Sequence, residues 1–170
     1  SNRVLLGLEN VTDHLVNCLV SNAVNFLDFS TMEREFEQFL EITNPGWKGR
    51  YGYELTPPEL VDYMISLSDI RLRQIDGFGG TGILRDAGTE ANRAHIIDPC
   101  CGTGRFYLSI LRYIFDNMEG GNAVKQLAVA RAIGNRERHS RVHAFDIQPT
   151  CVLMTQLGLE RFLEEINMPE

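Results

Sequence analysis

The sequence predicts an α/β chain that is rich in helix, with few parallel strands and a helical N-terminal region. Two short apolar runs supply the strands, each ending in a carboxylate: Ala94-His95-Ile96-Ile97 before Asp98, and Arg141-Val142-His143-Ala144-Phe145 before Asp146. A glycine turn, Cys101-Gly102-Thr103-Gly104, follows the first run and leads into Phe106, Ile110, Leu111 and Ile114 at helical spacing. Strand, glycine loop, helix and a second strand of the same kind are the parts of a βαβ unit.

Each element has its own signal. Val11, Leu15, Cys18, Leu19, Asn22 and Phe26 mark a first amphipathic helix. Ser30-Thr31-Met32-Glu33 is a capping box opening a second, which turns Phe36, Phe39 and Leu40 inward and stops at Asn44-Pro45-Gly46. In the third, Thr56 is the expected N-cap, Pro57 the first helical residue and Glu59 the capping-box partner, with Leu60, Met64 and Leu67 forming the apolar stripe. Asp76 to Gly82 is a glycine-rich loop, and Arg85 to Arg93 is polar.

Next come the first strand, expected to be buried, and the glycine loop. Gly102 and Gly104 lack the Cβ atoms that would keep a ligand off the backbone, and Asp98 at the strand's end accepts hydrogen bonds from a cationic or hydroxylated group. An acidic residue ending the following strand binds ribose hydroxyls in dinucleotide sites, usually about twenty residues after the glycines. Asp146 comes about twice as late, as expected if Asn122 to Ile133 forms an additional helix. Two readings of Asp146 stand side by side: it binds a ribose, or it ends a strand and caps the next helix. That last helix runs from Thr150 to Ile166 with Leu153, Leu157, Phe162 and Ile166 on its buried side.

Several alternatives lose their support. Arg105-Phe106 stand where a phosphate-binding P-loop needs Lys and Ser/Thr. Gly77-Phe78-Gly79-Gly80-Thr81-Gly82 matches G-x-G-x-x-G but is followed by polar residues rather than a helix. Cys18, Cys100, Cys101 and Cys151 show no C-x-x-C spacing and no companion histidines, so a reducing compartment and no zinc site are expected. With 170 residues, 44% hydrophobic and 23% charged, the chain suits one globular domain. No run approaches a membrane span and no signal peptide is visible. A cytoplasmic protein is expected, and the Ser-Asn start reads as a tag-cleavage scar.

The net charge of −7 is the wrong sign for a domain that grips a phosphate backbone unaided. One basic cluster stands out, namely Arg131, Arg136, Arg138, His139, Arg141 and His143. It is either a solvated connection or a contact for nucleic acid or an acidic partner.

Asp98-Pro99-Cys100-Cys101-Gly102-Thr103-Gly104-Arg105-Phe106 resembles motif I of S-adenosylmethionine-dependent N6-adenine DNA methyltransferases. It is most similar to the modification subunits of type I restriction systems. Tyr53-Glu54-Leu55-Thr56-Pro57 resembles their motif X, with Leu55 where an aromatic is usual. The resemblance implies a partial Rossmann-like methyltransferase fold, with residues 1–48 a helical N-terminal region and 49–170 the cofactor-binding part. It implies S-adenosylmethionine as cofactor, held by Tyr53, Thr56, Asp98, Cys100, Gly102, Gly104, Asp146 and Ile147. Thr56 would face the donor's carboxylate, Asp98 its amino group and Asp146 its ribose, with Cys100 a small residue lining the loop. DNA would be reached through the full-length enzyme or a separate specificity subunit.

The family's catalytic Asn-Pro-Pro-aromatic loop does not occur in the sequence. Asn44-Pro45-Gly46-Trp47 has glycine for the second proline and precedes motif X. No catalytic residue is therefore assigned. The chain reads as a cut or naturally short part of a methyltransferase, inactive alone, whose unpaired strand edge leads to a homo-oligomer or to pairing with a second half. The alternatives are a non-catalytic interaction protein that keeps this fold, or a methyltransferase acting on a protein or RNA acceptor.

Overall fold

The structure, a computed structural model, describes residues 29–51, 54–75, 82–84, 94–134 and 140–168. The expected first helix with Cys18, the binding candidate Tyr53, nearly all of the 76–82 loop, the 85–93 segment and Arg136, Arg138 and His139 lie outside the described residues. The chain divides into two units, Ser1–Tyr53 and Glu54–Glu170.

In the first unit, α1 (Phe29–Thr43) precedes the short α2 (Trp47–Tyr51). α1 already includes Phe29 and Ser30, so Ser30 does not open it. Met32, Phe36 and Trp47 are buried, whereas Phe39 and Leu40 are half-buried. The helix stops where Asn44-Pro45-Gly46 predicts, with Gly46 at φ +76°. α2 runs through position 48–49, where the sequence places a domain boundary, and the division falls a turn later.

The second unit is a helix-rich α/β arrangement. Its elements are α3 (Pro58–Arg73), a 3-10 turn (Gly82–Leu84), β1 (Ile96–Asp98), α4 (Arg105–Asn117), α5 (Asn122–Ile133), β2 (Val142–Ala144) and α6 (Pro149–Glu165). β1 and β2 pair in parallel with Ile96 opposite Val142, Ile97 opposite His143 and Asp98 opposite Ala144. The crossover between them consists of α4 and α5. The helix expected at Asn122 to Ile133 therefore accounts for the long interval between glycine loop and acid.

The core joins Val61 and Ile65 of α3, Ile83, Tyr107, Ile110, Leu111 and Ile114 of α4, Ala128, Val129 and Ala132 of α5, Val142, and Phe162 with Ile166 at the end of α6. Four sequence expectations are corrected here. β1 is not buried on both faces, because Ile97 is 64% exposed and Phe145, after β2, is 57% exposed. α3 buries Val61, Ile65 and Asp69, whereas Leu60, Met64 and Leu67 face outward. Apolar residues occupy both sides of that helix, so spacing alone cannot choose the inner one.

α6 likewise buries Cys151, Met154, Thr155, Gly158 and Phe162, leaving Leu153 and Leu157 half-buried. Its inner stripe contains threonine and glycine, which a hydrophobic count passes over. Finally, Thr56 does not cap α3. Pro57 precedes a second proline, which forces it into extended backbone (φ −54°, ψ 141°) and makes Pro58 the first helical residue, with no side-chain cap hydrogen bond.

A buried polar hub ties the 82–84 turn to its neighbours. Asp69, 2% exposed, accepts from Arg73 Nε (2.7 Å) and Tyr113 Oη (2.9 Å) on Oδ2, and from the Ile83 N–H (2.6 Å) on Oδ1. Arg141, also 2% exposed, donates from Nη1 to the Ile83 carbonyl at 2.7 Å. The basic cluster is thus not one solvated surface: Arg141 is a core residue, and His143 stacks on Phe145 at 6.3 Å.

Candidate functional site

The glycine loop leaves β1 at its carboxyl end and is held from three sides. Parallel pairing continues past the strands, with Phe145 N–H donating to Asp98 O (2.9 Å) and Cys101 N–H to Phe145 O (2.9 Å). Gly102 adopts φ +55° and Gly104 φ +87°, left-handed conformations that favour glycine. Gly104 is also the N-cap of α4 and has no side chain with which to cap it.

Asp146 holds the loop from β2's side. Its Oδ2 accepts the Gly102 N–H at 2.9 Å, and its Oδ1 accepts the Gln148 N–H at 2.8 Å, at the start of α6. Asp146 thus makes a local turn bond just ahead of α6, whose N-cap Gln148 carries no side-chain cap hydrogen bond, together with a clamp on the loop that sequence reasoning did not foresee. A carboxylate offers about four lone-pair sites, so two stay open to a ligand's hydroxyls.

Thr155 of α6 holds the loop from a third side. Its Oγ1 lies 3.3 Å from Gly102 O and 3.7 Å from Cys101 Sγ, and it donates locally to Cys151 O at 3.1 Å. A Cβ on Gly104 would sit 2.6 Å from Thr155 Cγ2. The missing Cβ at Gly104 thus makes room for α6 rather than for a ligand, which corrects one of the two glycine roles expected.

Arg105 brings the Thr-Pro segment in. Its Nη1 donates to the Thr56 carbonyl at 2.7 Å, joining the start of α4 to the residues just before α3. Thr56, Asp98, Gly102 and Asp146 are consequently linked to one loop, although Thr56 lies 42 positions before Asp98 in sequence. Arg105 and Thr155 are the positioning residues that sequence reasoning missed. Arg105 could have been suspected from its place directly after the loop; Thr155 carries no sequence signal.

Electrostatically the site is acidic and partly dehydrated. Asp98 Oδ1 accepts the Cys100 N–H at 3.2 Å, while Oδ2 is buried without a hydrogen-bond partner among the described residues. Burial raises the Asp98 pKa above the ordinary carboxylate value, the Cys100 N–H works against the rise, and the charge of Asp146 adds to it. Cys100 is exposed, Cys101 and Cys151 are buried, and burial first, then Asp146, pushes the Cys151 thiol up to about 12. Ile147, 88% exposed, stands beside Asp146.

A cleft of about 280 Å³ opens between α6 and the 142–145 segment that includes β2, whose residues on both faces, His143 and Phe145 included, line it. Tyr107, Val142, Ala144, Thr155 and Leu159 line it, and Cys101 is the loop residue that reaches it. It shares a wall with the candidate site but does not include Thr56, Asp98 or Asp146. Among the described residues no helix is long and apolar enough to cross a membrane.

Compared with known protein families, with curated proteins and with solved structures, the chain finds no match.

Proposed function

We propose that this chain is the S-adenosylmethionine-binding portion of a DNA adenine-N6 methyltransferase of restriction–modification type, with a partial Rossmann-like methyltransferase fold. One observation carries the reading. A glycine loop at the carboxyl end of a parallel strand joins an under-coordinated aspartate, the acid after the neighbouring strand, and a Thr-Pro helix start tied in by Arg105. The carboxyl end of a parallel sheet is where α/β folds take nucleotide-like ligands.

The residues suit the donor's groups. Asp98 Oδ2 is buried and lacks a partner among the described residues, so a ligand ammonium would supply both a hydrogen bond and a countercharge there. Asp146 retains lone pairs for ribose hydroxyls. The first turn of α3, with no side-chain cap, offers a carboxylate the Glu59 N–H and the helix dipole, since Pro57 and Pro58 carry no N–H and those of Leu60 and Val61 go to the Pro57 carbonyl. Bound there, the donor supplies a methyl group made electrophilic by its sulfonium. These residues bind and orient it, and they exclude water from its amino end.

Stacking and holding an adenine flipped out of DNA is a separate task. The Asn-Pro-Pro-aromatic loop suited to it is absent from the sequence, so transfer belongs to the parent enzyme and DNA recognition to the full-length protein or a specificity subunit. A non-catalytic protein keeping this fold is the second reading. It is favoured by the way Asp146 already closes the loop through Gly102 and Gln148.

Calorimetric titration with S-adenosylmethionine tests the proposal. Saturable binding, weakened about tenfold or more by Asp98→Asn and by Asp146→Ala, is expected. A chain shown to be folded by circular dichroism that takes up no donor at millimolar concentration would favour the non-catalytic reading.

A further inference from the structure

α3 is apolar on two opposite sides. Val61 and Ile65 enter the core, while Leu60, Tyr63, Met64, Leu67 and Ile70 are 47%, 62%, 44%, 40% and 52% exposed. A helix apolar on all sides is ordinarily covered on all sides. Leu60, Tyr63, Leu67 and Ile70 alternate in steps of three and four, the seam spacing of a two-helix pair, along a helix of about 24 Å.

The charges beside the seam decide what covers it. At 3.6 residues per turn, Glu59 and Arg73 fall on the same flank, two heptads apart, at opposite ends of the helix. Asp62 adds to the acidic end. Arg73 Nε pairs with buried Asp69 at 2.7 Å, while its side chain remains 42% exposed at the end of the seam. This pattern is complementary to itself when reversed.

We propose that α3 is a self-association surface, on which a second copy of this chain packs antiparallel about a two-fold axis near Ser66. In that arrangement Leu60 of each copy meets Ile70 of the other and Tyr63 meets Leu67. Glu59 faces Arg73 twice, as an isologous contact requires. A parallel pairing would turn the Glu59 flank toward the opposite flank of the other copy, where Met64 stands, and would form no such charge pair. One helix per copy makes a small interface, so the dimer is of the weak, concentration-dependent kind.

Sedimentation velocity from a few micromolar to a few hundred micromolar tests this. A monomer–dimer equilibrium is expected, loosened about tenfold or more by Leu67→Glu and several-fold by Glu59→Arg, with circular dichroism melts showing both variants folded. Under mild oxidation, Ser66→Cys should cross-link to its own copy beyond the level of the unaltered chain, and Glu59→Cys should not. A monomer at every concentration, a dimer indifferent to Leu67→Glu, or Glu59→Cys cross-linking as well as Ser66→Cys would each overturn the proposal.

Discussion

Thr155 fills the space that a Cβ on Gly104 would need: that atom would lie 2.6 Å from its Cγ2 and 2.7 Å from its Oγ1. The glycine loop and the last helix are therefore fitted to each other, and the contact is made by a threonine whose hydroxyl also touches the loop's Gly102 carbonyl. Gly104→Ala should destabilise the fold by about 2–3 kcal/mol, from backbone strain at φ +87° plus the collision. Adding Thr155→Ala removes two of the three close contacts and should recover part of that loss. A denaturant double-mutant cycle reads the coupling; strictly additive effects would mean that the two residues do not meet.

The Asp69 hub should behave as a structural unit. Asp69→Ala strips partners from Arg73, Tyr113 and the buried Ile83 N–H together and is expected to cost about 2–4 kcal/mol. Tyr113→Phe removes one of these bonds and should cost about 1 kcal/mol. Gly82→Ala should also be severe, since a Cβ there would lie 2.9 Å from the Asp69 carbonyl at φ +57°. Urea unfolding of the three variants checks this order.

Asp98 should oppose stability while serving binding. Its pKa is raised chiefly by burial, so the folded state holds the proton more tightly than the unfolded chain does. Its contribution to stability is fully present below the ordinary carboxylate range and is lost as pH rises through the raised value. Asp98→Asn should accordingly raise Tm by a few degrees at pH 7, with the gain vanishing toward pH 3. Melting curves of both proteins across that range settle the sign.

Thiol reactivity offers a probe of the loop. Cys100 is exposed, whereas Cys151 is buried with its thiol pushed up to about 12. Ellman's reagent on the folded chain should modify Cys100 before Cys101 or Cys151, and the buried pair should react only with unfolding. Mass spectrometry of partly labelled protein identifies the order.

Local chemistry made much of the frame legible. Asn122 to Ile133 was needed to span the interval between Gly104 and Asp146, and that helix is present with those ends. Both strands occur where short apolar runs end in aspartate. What could not be read were choices among equals. α3 and α6 carry apolar residues on more than one side, and only packing picks Val61 over Leu60 or Thr155 over Leu153. The cap at Thr56 gave way to the second proline. Arg141 looked like a surface charge until its guanidinium met the Ile83 carbonyl, a contact between segments 58 positions apart.

The crossover has a consequence for how the chain reaches its native state. Ile96 and Val142, opposite one another in the sheet, are separated by both helices of the connection. The α4 and α5 contacts are local and can form early, whereas the strand pair must close a long loop. The Asp98–Gly102 corner, held by Phe145 and Asp146 from beyond that loop, belongs to the late-forming part. In a refolding experiment pulsed with deuterium, the amides of α4 should gain protection ahead of those of Phe145, Cys101 and Gly102. The candidate ligand site would thus be the last part of the domain to mature.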